Sequence, residues 1–406
     1  MSPDARNCLA LFTYIIYNSL SFDDKATREL FMKNVLKFFG VFLLVLSLLA
    51  LLTVMCMRLY SADKENYSQD VSETAEEEEP AHKTWSLKKE NKETEPADSG
   101  YLISFIGDCT LASSQYNNDF INRINGDYTY PFRNTKEIFA ADDLTIANLE
   151  CTFSDRVSGM TSDGTFAFKA PASYANILAE GNVDFVTTAN NHRDDFADNG
   201  RVDTDAALDA VGMAHAGDNE TYMAEVDGHK IGIYCAYNHL SPNDELTKNA
   251  IDALRSDGAE IVICAFHWGK EGSYQLTETQ EQMGHRAIEL GADVVYGSHP
   301  HVLQKIERYQ EGLILYSMGN FSFGGNTNPR DRDTAIVQIR LVEDDDGKLA
   351  LQGYEVTPCC LSSTDGINDY CPIPYEKGTE GYARVFSKLN GTYDGPDLSV
   401  DYSSLN

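Results

Sequence analysis

Five short apolar runs in this chain each end on a compact polar motif, and this pattern constrains the fold more than any other feature. Run 101–107 leads into Asp108, run 144–149 into Glu150, and run 183–189 into Asn190-Asn191-His192. Run 260–266 leads into His267-Trp268-Gly269, and run 292–297 into Ser298-His299-Pro300-His301. Continuous apolar runs of this length read as strands buried on both faces. Stretches with helical spacing lie between them, at 172–180, 203–211 and 277–290. The alternation predicts an α/β protein. In such sheets ligands gather at the carboxyl ends of the strands.

The five ends are therefore expected to converge on one pocket holding Asp108, Glu150, Asn191, His267, His299 and His301. Each motif has a plainer explanation when taken singly. Asn-Asn-His can cap a helix, His-Pro-His can be a surface loop, and a histidine beside a tryptophan is often a satisfied half-buried side chain. Recurrence at five strand ends favours a site. The mixed oxygen and nitrogen donors suit a divalent Mn, Fe or Zn ion rather than Ca or Mg.

Further apolar runs lie at 230–237, 313–319, 334–342 and 349–356. The acidic turn ending in Asp346-Gly347 predicts an antiparallel hairpin from the last two. Of nine cysteines, too few for a disulfide scaffold in so long a chain, Cys359, Cys360 and Cys371 are expected to supply one disulfide of undetermined pairing.

Residues 38–57 carry no charge over twenty positions, enough for a helix across a bilayer core of ~30 Å. The preceding 1–37 contain Arg6, Lys25, Arg28, Lys33 and Lys37. The positive-inside rule predicts a cytoplasmic segment 1–37, a single transmembrane helix 38–57 and an extracellular remainder at the cell membrane. Residues 58–99 include Glu76-Glu77-Glu78-Glu79 and few large apolar side chains, so they read as an acidic disordered linker. Residues 100–406 form the globular domain. The formal net charge of -31 repels phosphate backbones and argues against a nucleic-acid partner.

In order, the strings FIGDCTL, ANLE, TANNHRDDFADNGRVDT, FHWGKE, GADVVYGSHPHVLQKIERY and LYSMGNFSF resemble the bacterial capsule-synthesis protein A (CapA-type) family, associated with poly-γ-glutamate capsules. That family is itself similar to the calcineurin-like metallophosphoesterases. The resemblance implies a four-layer αββα sandwich around a one- or two-metal site, preceded here by the membrane helix. Asp108 matches the first ligand, Glu150 the bridging carboxylate and Asn191 the ligand asparagine. His267, His299 and His301 match the later histidine ligands. His192 matches the general acid, with Asp195 orienting it, and the implied chemistry is metal-assisted hydrolysis of an ester or amide. Tyr316, Ser317 and Asn320 are implied to line the pocket, and Glu271, four residues after His267, reads either as an outer partner of the site or as a solvated loop acid.

The chain departs from the phosphoesterases at Thr110, where they carry a histidine, and at Ala197, where a glycine is expected. The first departure implies one tightly bound metal and a second that is weak or absent. Implied partners are the membrane, other capsule-synthesis membrane proteins, and an anionic polymer or phosphoester substrate.

Overall fold

Alternation along the apolar runs builds two sheets that face each other. The computed structural model describes residues 84–86, 100–114, 118–156, 166–237 and 244–399, all within the unit His82–Asn406. The expected membrane helix 38–57 lies outside them, and among the described residues no helix is long and apolar enough to cross a membrane.

The first sheet runs in spatial order Thr84–Ser86, Glu220–Val226, His229–Tyr237, Ile261–His267, Val294–Ser298, Gly312–Leu315, Ile306–Tyr309. The second runs Ile373–Pro374, Leu349–Cys360, Asp333–Glu343, Tyr101–Thr110, Leu144–Leu149, Phe185–Thr187, Ala214–Ala216, with Asn320–Phe323 also paired to Tyr101–Thr110. A small third sheet joins Ser113–Ser114, Phe168–Ala170 and Thr152–Phe153.

One side of each large sheet contributes to a shared core containing Ile103, Phe105, Leu144, Ile146, Ile231, Ile233, Ile261, Ile263, Val294 and Tyr296. The opposite face of the first sheet is covered by helices Asp244–Ser256 and Glu278–Glu289, through Ile251, Leu254, Met283, Ala287 and Ile288. The opposite face of the second packs against Phe120, Phe139, Ile177, Leu178 and Leu208 of its own helices. The layers are thus helix, sheet, sheet, helix, the α/β arrangement expected.

Side-chain parity places the polar motifs. Leu144 and Ile146 face the other sheet, while Ala147 and Leu149 face outward, so Asn148 and Glu150 continue the inner row. Ile261, Ile263 and Ala265 face inward, and His267 extends that row. Asp108 reaches the same interior by a different route. Ile103 and Phe105 point in and Ile106 points out, which would turn residue 108 outward. An irregularity of register between Phe105 and Asp108 resets the alternation, as a bulge does. Gly107 sits in this stretch with no room for a side chain, since a Cβ would lie 2.2 Å from the Gly319 carbonyl oxygen.

The structure corrects several expectations. Helix Ala197–Ala210 begins six residues before the predicted start. Thr204 lies inside it and accepts from the Phe153 backbone at 3.0 Å. The predicted strand 313–319 ends at Leu315, and Asn320–Phe323 forms a separate strand. Within the predicted linker 58–99, Thr84–Ser86 is a short strand pairing in parallel with Glu220–Val226. All seven described cysteines are free. Cys359 and Cys360 are neighbours on one strand, Cys359 buried and Cys360 half-buried, and the Cys371 sulfur accepts from Asn134 at 3.1 Å.

Candidate metal centre

Adjacent parallel strands bring the motifs together through their register. Asp108 pairs with Asn148, Asn148 with Thr187, and His267 with Ser298. The segments just beyond these positions supply Glu150, Asn191, His299 and His301. The six expected ligand residues are all brought into one neighbourhood.

His301 Nδ1 lies 3.1 Å from Asp108 Oδ2 and 3.8 Å from Glu150 Oε2. His267 Nε2 lies 3.4 Å from Glu150 Oε1 and 2.6 Å from Asn191 Oδ1. The His267 and His299 rings are 4.7 Å apart. Donor atoms within 4.8 Å of one another form three overlapping groups here: Glu150 with His267 and His299, Asp108 with Glu150 and His301, and Glu271 with His299 and His301.

Asn148, Asn190 and Ser298 frame these residues, and the sequence reading missed their roles. Asn148 Nδ2 donates to Asp108 Oδ1 at 2.9 Å, and Asn148 Oδ1 accepts from Asn190 Nδ2 at 3.0 Å. Asn190 Oδ1 in turn accepts from the His192 backbone at 3.1 Å. Ser298 Oγ lies 2.8 Å from His267 Nδ1, which directs the other ring nitrogen to the site. Two signals were available: Asn148 shares the strand face of Glu150, and Asn190 precedes the Asn191-His192 pair.

Both Glu150 side-chain oxygens are fully buried without a hydrogen bond. Burial pushes this carboxyl well above the usual range, only partly countered by His301. Burial and the neighbouring imidazoles push His267 well down, and burial with His301 pushes His299 to about 4. For His301 burial works downward, but Glu150 and Asp108 outweigh it and raise the imidazole to about 10. Two imidazoles held neutral beside a buried carboxyl group that makes no hydrogen bond match what a divalent cation requires of its ligands. The donor set fits such an ion.

His192 belongs to none of these donor groups among the described residues. Its Nδ1 lies 3.0 Å from Asp195 Oδ2, which also accepts from the Phe168 backbone at 2.9 Å. The Phe168 ring packs edge-on against the imidazole at 4.7 Å. With Nδ1 occupied, Nε2 is the nitrogen available to a ligand.

His192 lines a cleft of about 630 Å³ together with Thr110, Glu150, Asn191, Glu271 and His301. Phe166, Phe168 and Phe323 give the cleft an aromatic wall, and Arg330 also lines it. Asn320 lines the cleft as expected, with Oδ1 2.9 Å from His301 Nδ1. Tyr316 does not: it packs on the outer face of the first sheet, and its carbonyl accepts from Trp268 at 2.8 Å. Ser317 ties the loop down by donating to the Val302 carbonyl at 2.8 Å.

The chain is 26% identical over 327 residues to the PGA biosynthesis protein CapA of Bacillus subtilis (strain 168), an alignment covering 75% of this chain and 82% of that one. It is 25% identical over 265 residues to the capsule biosynthesis protein CapA of Bacillus anthracis, covering 59% of this chain and 63% of the relative. Among solved structures, a putative 5'-nucleotidase from Staphylococcus aureus in complex with alpha-ketoglutarate is similar with a TM-score of 0.40 and 14% identity, over 64% of this chain and 54% of that one. Residues 102–325 match the family described as bacterial capsule synthesis protein PGA_cap. Every residue of the centre lies within that segment, and the chain belongs to this family of capsule synthesis proteins.

Proposed function

We propose that this chain is a membrane-anchored protein of poly-γ-glutamate-type capsule biosynthesis whose extracellular domain is a metal-dependent hydrolase. The observation that carries the hydrolase reading is Glu150, a fully buried carboxylate without a hydrogen bond, facing His267 and His301. The run 38–57 and its basic N-terminal flank support the anchor.

Glu150, Asn191, His267 and His299 would hold one cation tightly. Asp108, Glu150 and His301 would hold a second more weakly, because Thr110 stands where a further nitrogen ligand is expected. The oxygen and nitrogen donors favour Mn, Fe or Zn. A bound divalent cation supplies Lewis-acid polarisation of a P=O or C=O group and an acidified water.

The remaining chemistry belongs to the chain. Asp195 accepts from His192 Nδ1 and fixes its tautomer, so that Nε2 delivers a proton to the leaving group. The aromatic wall excludes water from one side of the cleft and accommodates an apolar part of the substrate. Arg330 contributes a positive charge to a cleft that also holds Glu150, Glu271 and Asp331.

The experiment is complementation of a strain lacking this protein, scored by capsule polymer, beside hydrolysis of activated phosphodiester and amide substrates by the purified chain. Wild type is expected to restore polymer and to hydrolyse at least one substrate class, with His267→Ala failing at both. A second reading, a non-catalytic scaffold of the same fold, is favoured by Thr110. It predicts that His267→Ala still restores polymer.

A further inference from the structure

We infer that Glu271 is a metal-binding carboxylate, which completes the weaker cation position at His301 and stands in for the ligand that Thr110 does not supply. The inference rests on the metal-site reading and adds a ligand to it.

Glu271 offers one donor oxygen within 4.8 Å of donor nitrogens on both His299 and His301. The backbone holds it there. The Gly272 N–H donates to the Pro300 carbonyl at 2.8 Å, and Pro300 is the residue between the two histidines. The Gly272 carbonyl accepts from the Leu398 N–H at 3.1 Å. Gly272 has φ +72°, and a Cβ there would lie 2.3 Å from the Leu398 carbonyl oxygen, so only glycine serves. The carboxylate and the two imidazoles are thereby fixed through adjoining peptides.

The histidine loop carries strain of its own. His299 has φ 95° and His301 φ 57°, left-handed backbone that non-glycine residues adopt only at a cost. Unpartnered polar atoms point the same way. Thr110 Oγ1 and His299 Nδ1 are buried without a hydrogen-bond partner, and Thr110 and Glu271 line the same cleft. Asp108, Glu150 and His301 give three protein donors, and Glu271, whose oxygen lies near His299 and His301, is the proposed fourth. The result, three carboxylates and one imidazole, is harder than the set of Glu150, Asn191, His267 and His299, so it favours Mn²⁺ over Zn²⁺.

The test is calorimetric titration with Mn²⁺ of the full chain in detergent after chelator stripping, as wild type, Glu271→Gln and the double variant Thr110→His/Glu271→Gln. Matching melting temperatures of the metal-free proteins control for misfolding. Wild type is expected to show a tight and a weaker binding event. Glu271→Gln should raise the Kd of the weaker event by more than ~100-fold, beyond the ~10–100-fold typical of losing an outer partner, and leave the tight event in place. The double variant should recover most of the loss. A rise of ~100-fold or less in Glu271→Gln would place the carboxylate outside the coordination and overturn the inference. No recovery in the double variant would overturn the substitution for Thr110. Absence of any binding by the wild type would overturn the metal-site reading itself.

Discussion

Asn148 donates to Oδ1 of Asp108 at 2.9 Å, which leaves Oδ2 as the oxygen facing His301 at 3.1 Å. Both residues are fully buried, so the amide fixes how Asp108 presents its carboxylate. The same amide is linked through Asn190 to the backbone of His192. Asn148→Ala is expected to weaken metal binding by ~10–100-fold, the usual effect of losing an outer hydrogen-bond partner. Calorimetric titration checks this, and unchanged affinity would mean that Asp108 needs no such orientation.

His192 is expected to act on the substrate and not on the metal. His192→Ala should retain metal while lowering any hydrolysis by ~10²–10⁴-fold, the range for a positioned general acid. Asp195→Asn should lower it less. Metal loss from His192→Ala, measured by elemental analysis, would move this residue into the coordination shell.

The ligand neighbourhood was legible because strand periodicity and strand ends are local features. His267 continues the inward row of Ile261, Ile263 and Ala265, and that parity can be read from the sequence. The sequence did not give away Asp108 in the same manner. Its inward direction depends on an irregularity after Phe105 and on the close approach of Gly107 to Gly319, a contact more than two hundred positions distant along the chain. The strand Glu220–Val226 was overlooked, although Asp227-Gly228 with φ 49° and 92° marks a tight hairpin turn. Tyr316 was misplaced because membership of a motif says nothing about which face of a sheet a side chain takes.

A buried ionic cluster, which through Lys388 also takes in Asp331 of the cleft wall, ties the C-terminal helix Glu380–Leu389 to strand Asp333–Glu343. Asp333 accepts from Arg384 at 2.6 and 2.7 Å and from Lys388 at 2.7 Å. Burial alone would raise the Asp333 carboxyl, but Arg384 and Lys388 outweigh it and hold it below the usual range. A depressed folded-state value means that this stability is fully present above the unfolded value of ~3.9 and is lost as pH falls through the lower folded value. Acid unfolding followed by circular dichroism should show this step, and Asp333→Asn should remove it. Lys388→Met should cost about 3–5 kcal/mol, because it breaks a buried pair from one side.

The membrane assignment has its own test. Protease added to intact cells should release a soluble fragment by cutting within 58–99. A globular part that stays protected until lysis would reverse the orientation.

The account depends most on Glu150 being held by a cation. Elemental analysis of the full chain after exhaustive dialysis, beside Glu150→Gln treated identically, measures this directly. Wild type should retain one divalent metal per chain, with a second that is lost or substoichiometric. Glu150→Gln should retain none. Equal metal content in the two proteins, or none in the wild type, would contradict the account.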